Sequence, residues 1–186
     1  MSTTYILIIV LVVLVLFVIS TYNRLVRMVN RAQEAWQDIE VQLKRRYDLI
    51  PNLVETVKGY SKHEEGTLTK IVELRNAAMS GSHDPATAGA QEAGLSGALK
   101  SIFALSESYP DLKANQNFLS LQSELADTEN KIQAARRFYN TNVRDLSIAL
   151  QAFPSNIIAG MFNFKKMDYF DLPDGDAAHD AVAVKF

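Results

Sequence analysis

The sequence predicts an all-α protein: an N-terminal transmembrane helix followed by an antiparallel bundle of three long helices and a short C-terminal helix. Three observations predict it. Residues 5–19 form an unbroken apolar run, YILIIVLVVLVLFVI. Beyond residue 24, apolar residues recur every three or four positions, which is the period of an amphipathic helix. No segment shows the strict alternation of a half-buried strand over a useful length.

The apolar run comes first. Ser20, Thr21 and Tyr22 extend it without adding charge, so residues 5–22 just reach the roughly 17–20 residues that a bilayer core requires. Its many β-branched residues are no obstacle, because in lipid only a helix satisfies its own backbone. A cleaved signal peptide would carry a basic segment before the run and small residues at a cleavage site after it. Residues 1–4 are Met-Ser-Thr-Thr, and the run ends Ser20-Thr21-Tyr22-Asn23-Arg24, so an anchor is expected. Arg24, Arg27 and Arg31 follow the run at once, with Lys44, Arg45 and Arg46 beyond, and no cation precedes it. Cations stay on the cytoplasmic side. The expected organisation is an external N-terminus at 1–4, a span touching lipid through 5–22, a cytoplasmic helical domain at 23–172 and a disordered tail at 173–186.

Within the soluble part, Val29, Ala32, Trp36, Ile39, Leu43, Ile50, Leu53, Val57 and Tyr60 form one stripe, continued by Leu68, Ile71, Val72 and Leu74 to Met79. Residues 24–79 are read as one helical unit, kinked or broken at Pro51, which lacks a donor and crowds the preceding turn. Gly59 and Gly66 weaken its second half. Gly81-Ser82-His83-Asp84-Pro85 is a loop in which Asp84 can cap a helix with Pro85 at its first position. That helix, 85–108, is frayed over its Ala- and Gly-rich first half. Tyr109-Pro110-Asp111 is a turn, and a helix of residues 112–152 follows with the stripe Phe118, Leu121, Leu125, Thr128, Ile132, Ala135, Tyr139, Val143, Leu146, Leu150 and Phe153. Phe153-Pro154-Ser155-Asn156 ends it, a short helix spans 157–162, and the aromatic tail to Phe170 is expected to pack back on the bundle, with contact to the membrane or to a neighbouring subunit as the alternative.

Composition narrows the chemistry. The net charge is −2 with 22% charged residues, which is no basic footprint for nucleic acid. There is no cysteine, so disulfides, thiolate metal sites and thiol nucleophiles are excluded. His63, His83 and His179 stand apart, with no second ligand at metal spacing and no Glu-x-x-His pair of a di-iron bundle, although Glu64, Glu65, Glu124 and Glu129 offer carboxylates on helices. No glycine-rich phosphate loop is present. Lys44-Arg45-Arg46 offers charge to phosphate or lipid head groups, although such a run is more often a solvated face. No catalytic residue, cofactor, metal or small-molecule substrate is expected.

Three blocks carry a family resemblance. The first is Asn30-Arg31-Ala32 with Ala35-Trp36, then Leu43-Lys44-Arg45-Arg46-Tyr47-Asp48-Leu49-Ile50-Pro51-Asn52-Leu53-Val54. The second is Tyr109-Pro110-Asp111-Leu112-Lys113-Ala114-Asn115 with Phe118. The third is Arg136-Arg137-Phe138-Tyr139-Asn140, Phe153-Pro154-Ser155-Asn156-Ile157-Ile158-Ala159-Gly160-Met161-Phe162 and Tyr169-Phe170. Over residues 1 to about 172 the chain resembles the LemA family of bacterial membrane-anchored helical proteins. It departs at Leu146-Ser147, where the family reads Tyr-Asn. The resemblance implies a helical bundle on an N-terminal anchor, outside N-terminus and cytoplasmic domain, in the bacterial inner membrane. It implies no enzymatic activity. Some relatives are linked to membrane zinc proteases of the heat-shock type and one branch to magnetosome membranes, so the resemblance points to a scaffold or adaptor with a membrane-protease partner.

Two non-enzymatic functions fit: a self-assembling membrane scaffold or adaptor, and a signalling or stress-sensing stalk, ranked lower because four external residues offer little to sense with. Helix lengths favour assembly. At about 1.5 Å per residue the three units would span roughly 80, 35 and 60 Å. Folded up, down and up, they leave Val29, Trp36, Ile39 and Leu43 without a partner from their own chain, so these four are the candidate interface of a homo-oligomer; the alternative is that a kink at Pro51, or a break near Gly59, folds the first unit into a compact monomeric bundle.

Overall fold

The computed structural model describes residues 2–61, 64–81 and 84–170. All elements among them are helical: α1 (Ser2–Lys58), α2 (Glu65–Ser80), α3 (Pro85–Ser106), α4 (Pro110–Lys113), α5 (Gln116–Gln151) and α6 (Ser155–Met161). The expected tail at 173–186 and the three histidines lie outside the described residues.

α1 is one helix of 57 residues, about 85 Å long. Its first part contains an 18-residue window of mean hydropathy 3.0, none of it buried. From Leu25 onward burial falls on Ala32, Ala35, Ile39, Leu43, Arg46, Ile50, Leu53 and Val57, mostly three or four residues apart, which is one helical face.

Of the kink or break expected at Pro51, the break does not occur; the helix runs through it to Lys58. The reason is visible in the hydrogen bonding. Proline has no N–H for the carbonyl four residues back, here that of Tyr47. Arg75 of α2 donates Nε to that carbonyl at 2.7 Å, so the group that Pro51 orphans is satisfied from another helix. The break comes at Gly59 instead. Tyr60 and Ser61 N–H both donate to the Val57 carbonyl at 3.0 Å, and the Ser61 hydroxyl joins them at 3.0 Å. Residues 24–79 are therefore two helices, with α2 returning along the distal half of α1.

That turn removes the expected length mismatch. α5, with 36 residues, spans about 54 Å, and residues 24–58 of α1 span about 52 Å. The two run antiparallel along their full length. Arg45 reaches Asp127, Trp36 lies against Tyr139, and Leu25 packs with Ala149. The α2–α3 pair covers only the distal half, and the segment after α5 covers the proximal half. Ile39 and Leu43 are buried, and Trp36 is half-buried between Tyr139 and Phe170, with ring centroids 5.3 and 5.5 Å away. Val29 is half-buried and lines a groove with Phe164 and Met167. The four candidate interface residues are thus contacted by their own chain.

Other boundaries move slightly. Residues 110–113 form a helical turn rather than a bend, and α5 starts at Asn115, whose Oδ1 accepts the Phe118 N–H at 3.0 Å as an N-cap. Asp84 takes an extended N-cap conformation with Pro85 next; its carbonyl, rather than a side-chain cap, accepts from Thr87 and Ala88 at 3.1 and 3.0 Å. The Ala- and Gly-rich start of α3 is helical, not frayed: Ala88, Gly89, Glu92 and Leu95 are buried, and burial supplies what propensity lacks. The Phe153–Pro154 peptide is cis. α6 closes in a Schellman motif, with Asn163 left-handed at φ 55 and Phe164 N–H reaching the Ala159 carbonyl at 3.0 Å.

Candidate functional site

The most polar buried place in the molecule is built on Arg46, a charged residue on the otherwise apolar face of α1. Its guanidinium is 1% exposed. Nη2 pairs with Glu92 of α3. Nη1 donates to Glu129 Oε2 of α5 at 2.7 Å and to Ser96 Oγ at 2.9 Å. The Tyr47 hydroxyl donates to the other Glu92 oxygen, and Gln133 Nε2 holds the second Glu129 oxygen at 3.1 Å. One cation thereby ties α1, α3 and α5 together, while Arg75 ties α2 to the Tyr47 carbonyl. Burial pushes the Arg46 guanidinium below its ordinary pKa and the Glu129 carboxylate opposes that shift. Burial also raises Tyr47, with Arg46 pulling the other way. A buried charge of this kind persists only when paired.

A groove of about 460 Å³ opens beside this knot, lined by Trp36, Leu43, Tyr47, Met79, Ala88 and Glu92 among others. Within it Glu92 is ion-paired with Arg46 and accepts a hydrogen bond from the Tyr47 hydroxyl. These contacts hold α1 and α3 together. Among the described residues no three His, Cys, Asp or Glu side chains converge as metal ligands.

The aromatic tail makes a second polar lock. The Tyr139 hydroxyl donates to the Asp168 carbonyl at 2.7 Å. Asn140 Nδ2 donates to the Phe170 carbonyl and its Oδ1 accepts the Phe170 N–H, each at 3.0 Å. Phe170 is thereby seated, buried, against Trp36. Burial, then the charges of Asp168 and Asp84, pushes the Tyr139 phenol up to about 12.

The signature residues read from the sequence therefore occupy separate places. Arg46 and Tyr47 form the knot, with Pro51 one turn along. Asp48 is exposed and pairs with Lys44 at 2.9 Å; Asn52 is exposed, its carbonyl accepting from Thr56 at 2.8 Å. Tyr109 donates to Glu64 at 3.3 Å at the distal end, where Pro110 opens α4. Tyr139 and Asn140 hold the tail, whereas Arg137 is exposed. Phe153, Pro154 and Asn156 are exposed at the membrane-proximal corner; Phe153 leaves the apolar stripe expected of it because the chain turns there. Lys44-Arg45-Arg46 is not a free basic cluster, because Arg45 lies 3.5 Å from Asp127 and Arg46 is buried. At the departure from the family pattern, Leu146 is fully buried, an apolar side chain at the position of the family's tyrosine.

A family model described as the LemA family matches residues 35–186. The chain belongs to the LemA family. It is 29% identical over 153 residues to Protein LemA of Metamycoplasma hominis, covering 81% of this chain and 66% of that protein. It is 24% identical over 182 residues to Magnetosome protein MamQ of Magnetospirillum gryphiswaldense, covering 83% of this chain and 66% of the relative. Magnetosome protein MamQ 2 of Paramagnetospirillum magneticum is 23% identical over 181 residues. The chain thus spans just under two thirds of the length of the relatives it matches. With its N-terminal apolar helix, it is a membrane-associated member of the LemA family. The sequence pointed to Arg46, Tyr47 and Tyr139 within signature blocks, but not to the pairing of Arg46 with Glu92, Ser96 and Glu129 or of the Tyr47 carbonyl with Arg75, none of which a local pattern singles out.

Proposed function

We propose that this LemA-family protein is a non-enzymatic scaffold or adaptor, tethered by residues 5–22 in the bacterial inner membrane with its helical domain in the cytoplasm, where it organises or regulates other membrane proteins. A membrane zinc protease of the heat-shock type is one such partner. The observation that carries this reading is the continuity of α1. The helix that is apolar and uncovered over its first residues becomes, without interruption, the central strut of the bundle. A domain built on such a strut is held at fixed height and orientation over the bilayer, which suits presenting a surface to neighbours. The same continuity favours a second reading, a stalk that relays tilt or rotation of the span to the bundle.

Two experiments test the proposal. A reporter fused after Phe186 reads orientation: activity of a cytoplasm-dependent reporter is expected, and activity of an export-dependent reporter overturns the orientation. Crosslinking in native membranes followed by mass spectrometry reads the partners. Recovery of integral membrane proteins linked to the bundle is expected. Links confined to soluble proteins would remove the scaffold reading.

A further inference from the structure

Residues 153–162 carry no charge, yet four of their apolar side chains are exposed: Phe153 is 80% exposed, Met161 69%, Ile157 52% and Phe162 49%. A contiguous patch of this kind marks a contact surface. Its position says what covers it. The opposite face of α6, Ile158 and Ala159, is buried against Leu25, with Val18, Tyr22 and Met28 packed alongside. The Tyr22 ring lies 4.7 Å from that of Phe162 and 5.6 Å from that of Phe164.

Val18 and Tyr22 belong to the apolar run. Eighteen helical residues rise about 27 Å, close to the roughly 30 Å hydrocarbon core. Residues 5–22 therefore use up that thickness, and the last turn of the span sits where hydrocarbon gives way to head groups. α6, packed on that turn, lies at the same depth. Cations stand just outside it: Arg24 and Arg27 are exposed on α1, and exposed Lys165 and Lys166 line a groove with Val26, Val29 and Gln33. This is the profile of an interfacial element, apolar side chains inward and cations at phosphate height.

We propose that residues 153–162 form a second membrane contact, with Phe153, Ile157, Met161 and Phe162 lying in the interfacial layer of the leaflet from which α1 emerges. Lipid is the occupant because the patch is continuous with the side chains of the span and has cations only on the side away from it. The contact fixes the bundle against rotation about α1 and brings its proximal end down onto the membrane surface. The inference rests on residues 5–22 being a span, and the test separates the two.

The chain has no cysteine, so single cysteines can carry an environment-sensitive fluorophore without further changes. Met161→Cys and Phe153→Cys probe the patch, Val12→Cys the span, and Ser123→Cys an exposed site near the start of α5, at the end of the bundle away from the span. The full chain is placed in phosphatidylcholine–phosphatidylglycerol vesicles containing lipids with a nitroxide either near the glycerol or near the chain end. For an element about 5–10 Å into the interface, labels at 153 and 161 should be quenched at least about twofold more than at 123 by the shallow nitroxide, and less by the deep one. The label at 12 should respond to the deep nitroxide. Labels at 153 and 161 behaving like 123, with 12 quenched, overturn the proposal and leave the span standing. An unquenched label at 12 removes the span and the proposal together. Efficient chain-to-chain crosslinking through Met161→Cys, with its label unquenched, would assign the patch to a second copy and overturn the lipid contact.

Discussion

At the scale of single residues, two polar contacts decide how the helices are held. Arg46 is buried between carboxylates of α3 and α5. Removing one partner of a buried pair leaves an uncompensated charge, at a cost of about 3–5 kcal/mol, whereas replacing both with apolar groups is often close to neutral. Arg46→Met is expected to lower the unfolding free energy of the detergent-solubilised protein by that amount. Adding Glu92→Leu should recover most of it, and additive losses in the double-mutant cycle would mean that the pair is not coupled. Tyr139 gives a pH-dependent contact. Its phenol is raised from 10.0 to about 12 in the folded protein, so its stabilisation is complete below pH 10 and disappears as pH rises towards about 12. Tyr139→Phe, which loses the bond to the Asp168 carbonyl, is expected to cost about 1 kcal/mol at neutral pH. Thermal unfolding of both proteins between pH 8 and about 12 checks this: the wild-type advantage should vanish across the upper part of that range; parallel curves would show that the phenol's titration is not linked to folding, and coincident ones that the hydroxyl contributes nothing.

At the scale of elements, α1 shows how a helix survives an internal proline. Pro51 costs a helix about 3 kcal/mol in isolation, partly because a carbonyl is left bare. Arg75 meets that carbonyl at 2.7 Å. The two positions should therefore be coupled. Arg75→Met is expected to destabilise by about 1–3 kcal/mol, the cost of an unsatisfied acceptor. In a Pro51→Ala background the same change should cost clearly less, because the alanine restores a backbone N–H that can take the Tyr47 carbonyl within the helix. Equal losses in both backgrounds, measured by chemical unfolding, would show that Arg75 acts elsewhere. The same pair explains why Pro51 and Tyr47 share one sequence block: together they prepare an acceptor on α1 to which α2 docks.

At the scale of the whole molecule, the match between α5 and the membrane-distal part of α1 changes the expectation about assembly. The stripe through Trp36, Ile39 and Leu43 is covered by α5 and by Phe170, and it gives no reason for a ring of chains. The expected mass in mild detergent is that of one chain with its micelle, read by mass photometry or sedimentation. A larger monodisperse species would mean that another face drives assembly, with exposed Val41, Phe138 and Ile148 the apolar residues to substitute first.

The sequence by itself determined the long apolar N-terminal helix, the all-α class and most of the buried faces, because those rest on local composition and on a period that neighbours three and four residues apart express. It also placed the Pro85 start and the stop at Phe153-Pro154, where backbone chemistry is local. Only the tertiary structure decided where α1 ends. Locally Pro51 looks the stronger breaker and Gly59 the weaker. The order reverses because Arg75, 28 residues from the Tyr47 carbonyl it meets, removes part of the proline's cost, while at Gly59 the Val57 carbonyl is satisfied by the turn itself. The polar knot was equally hidden: Arg46 finds Ser96 and Glu129 across 50 and 83 residues of sequence. Nothing near a glutamate on a helix surface marks it as the one that will meet a buried cation, since that depends on which faces the turns bring together.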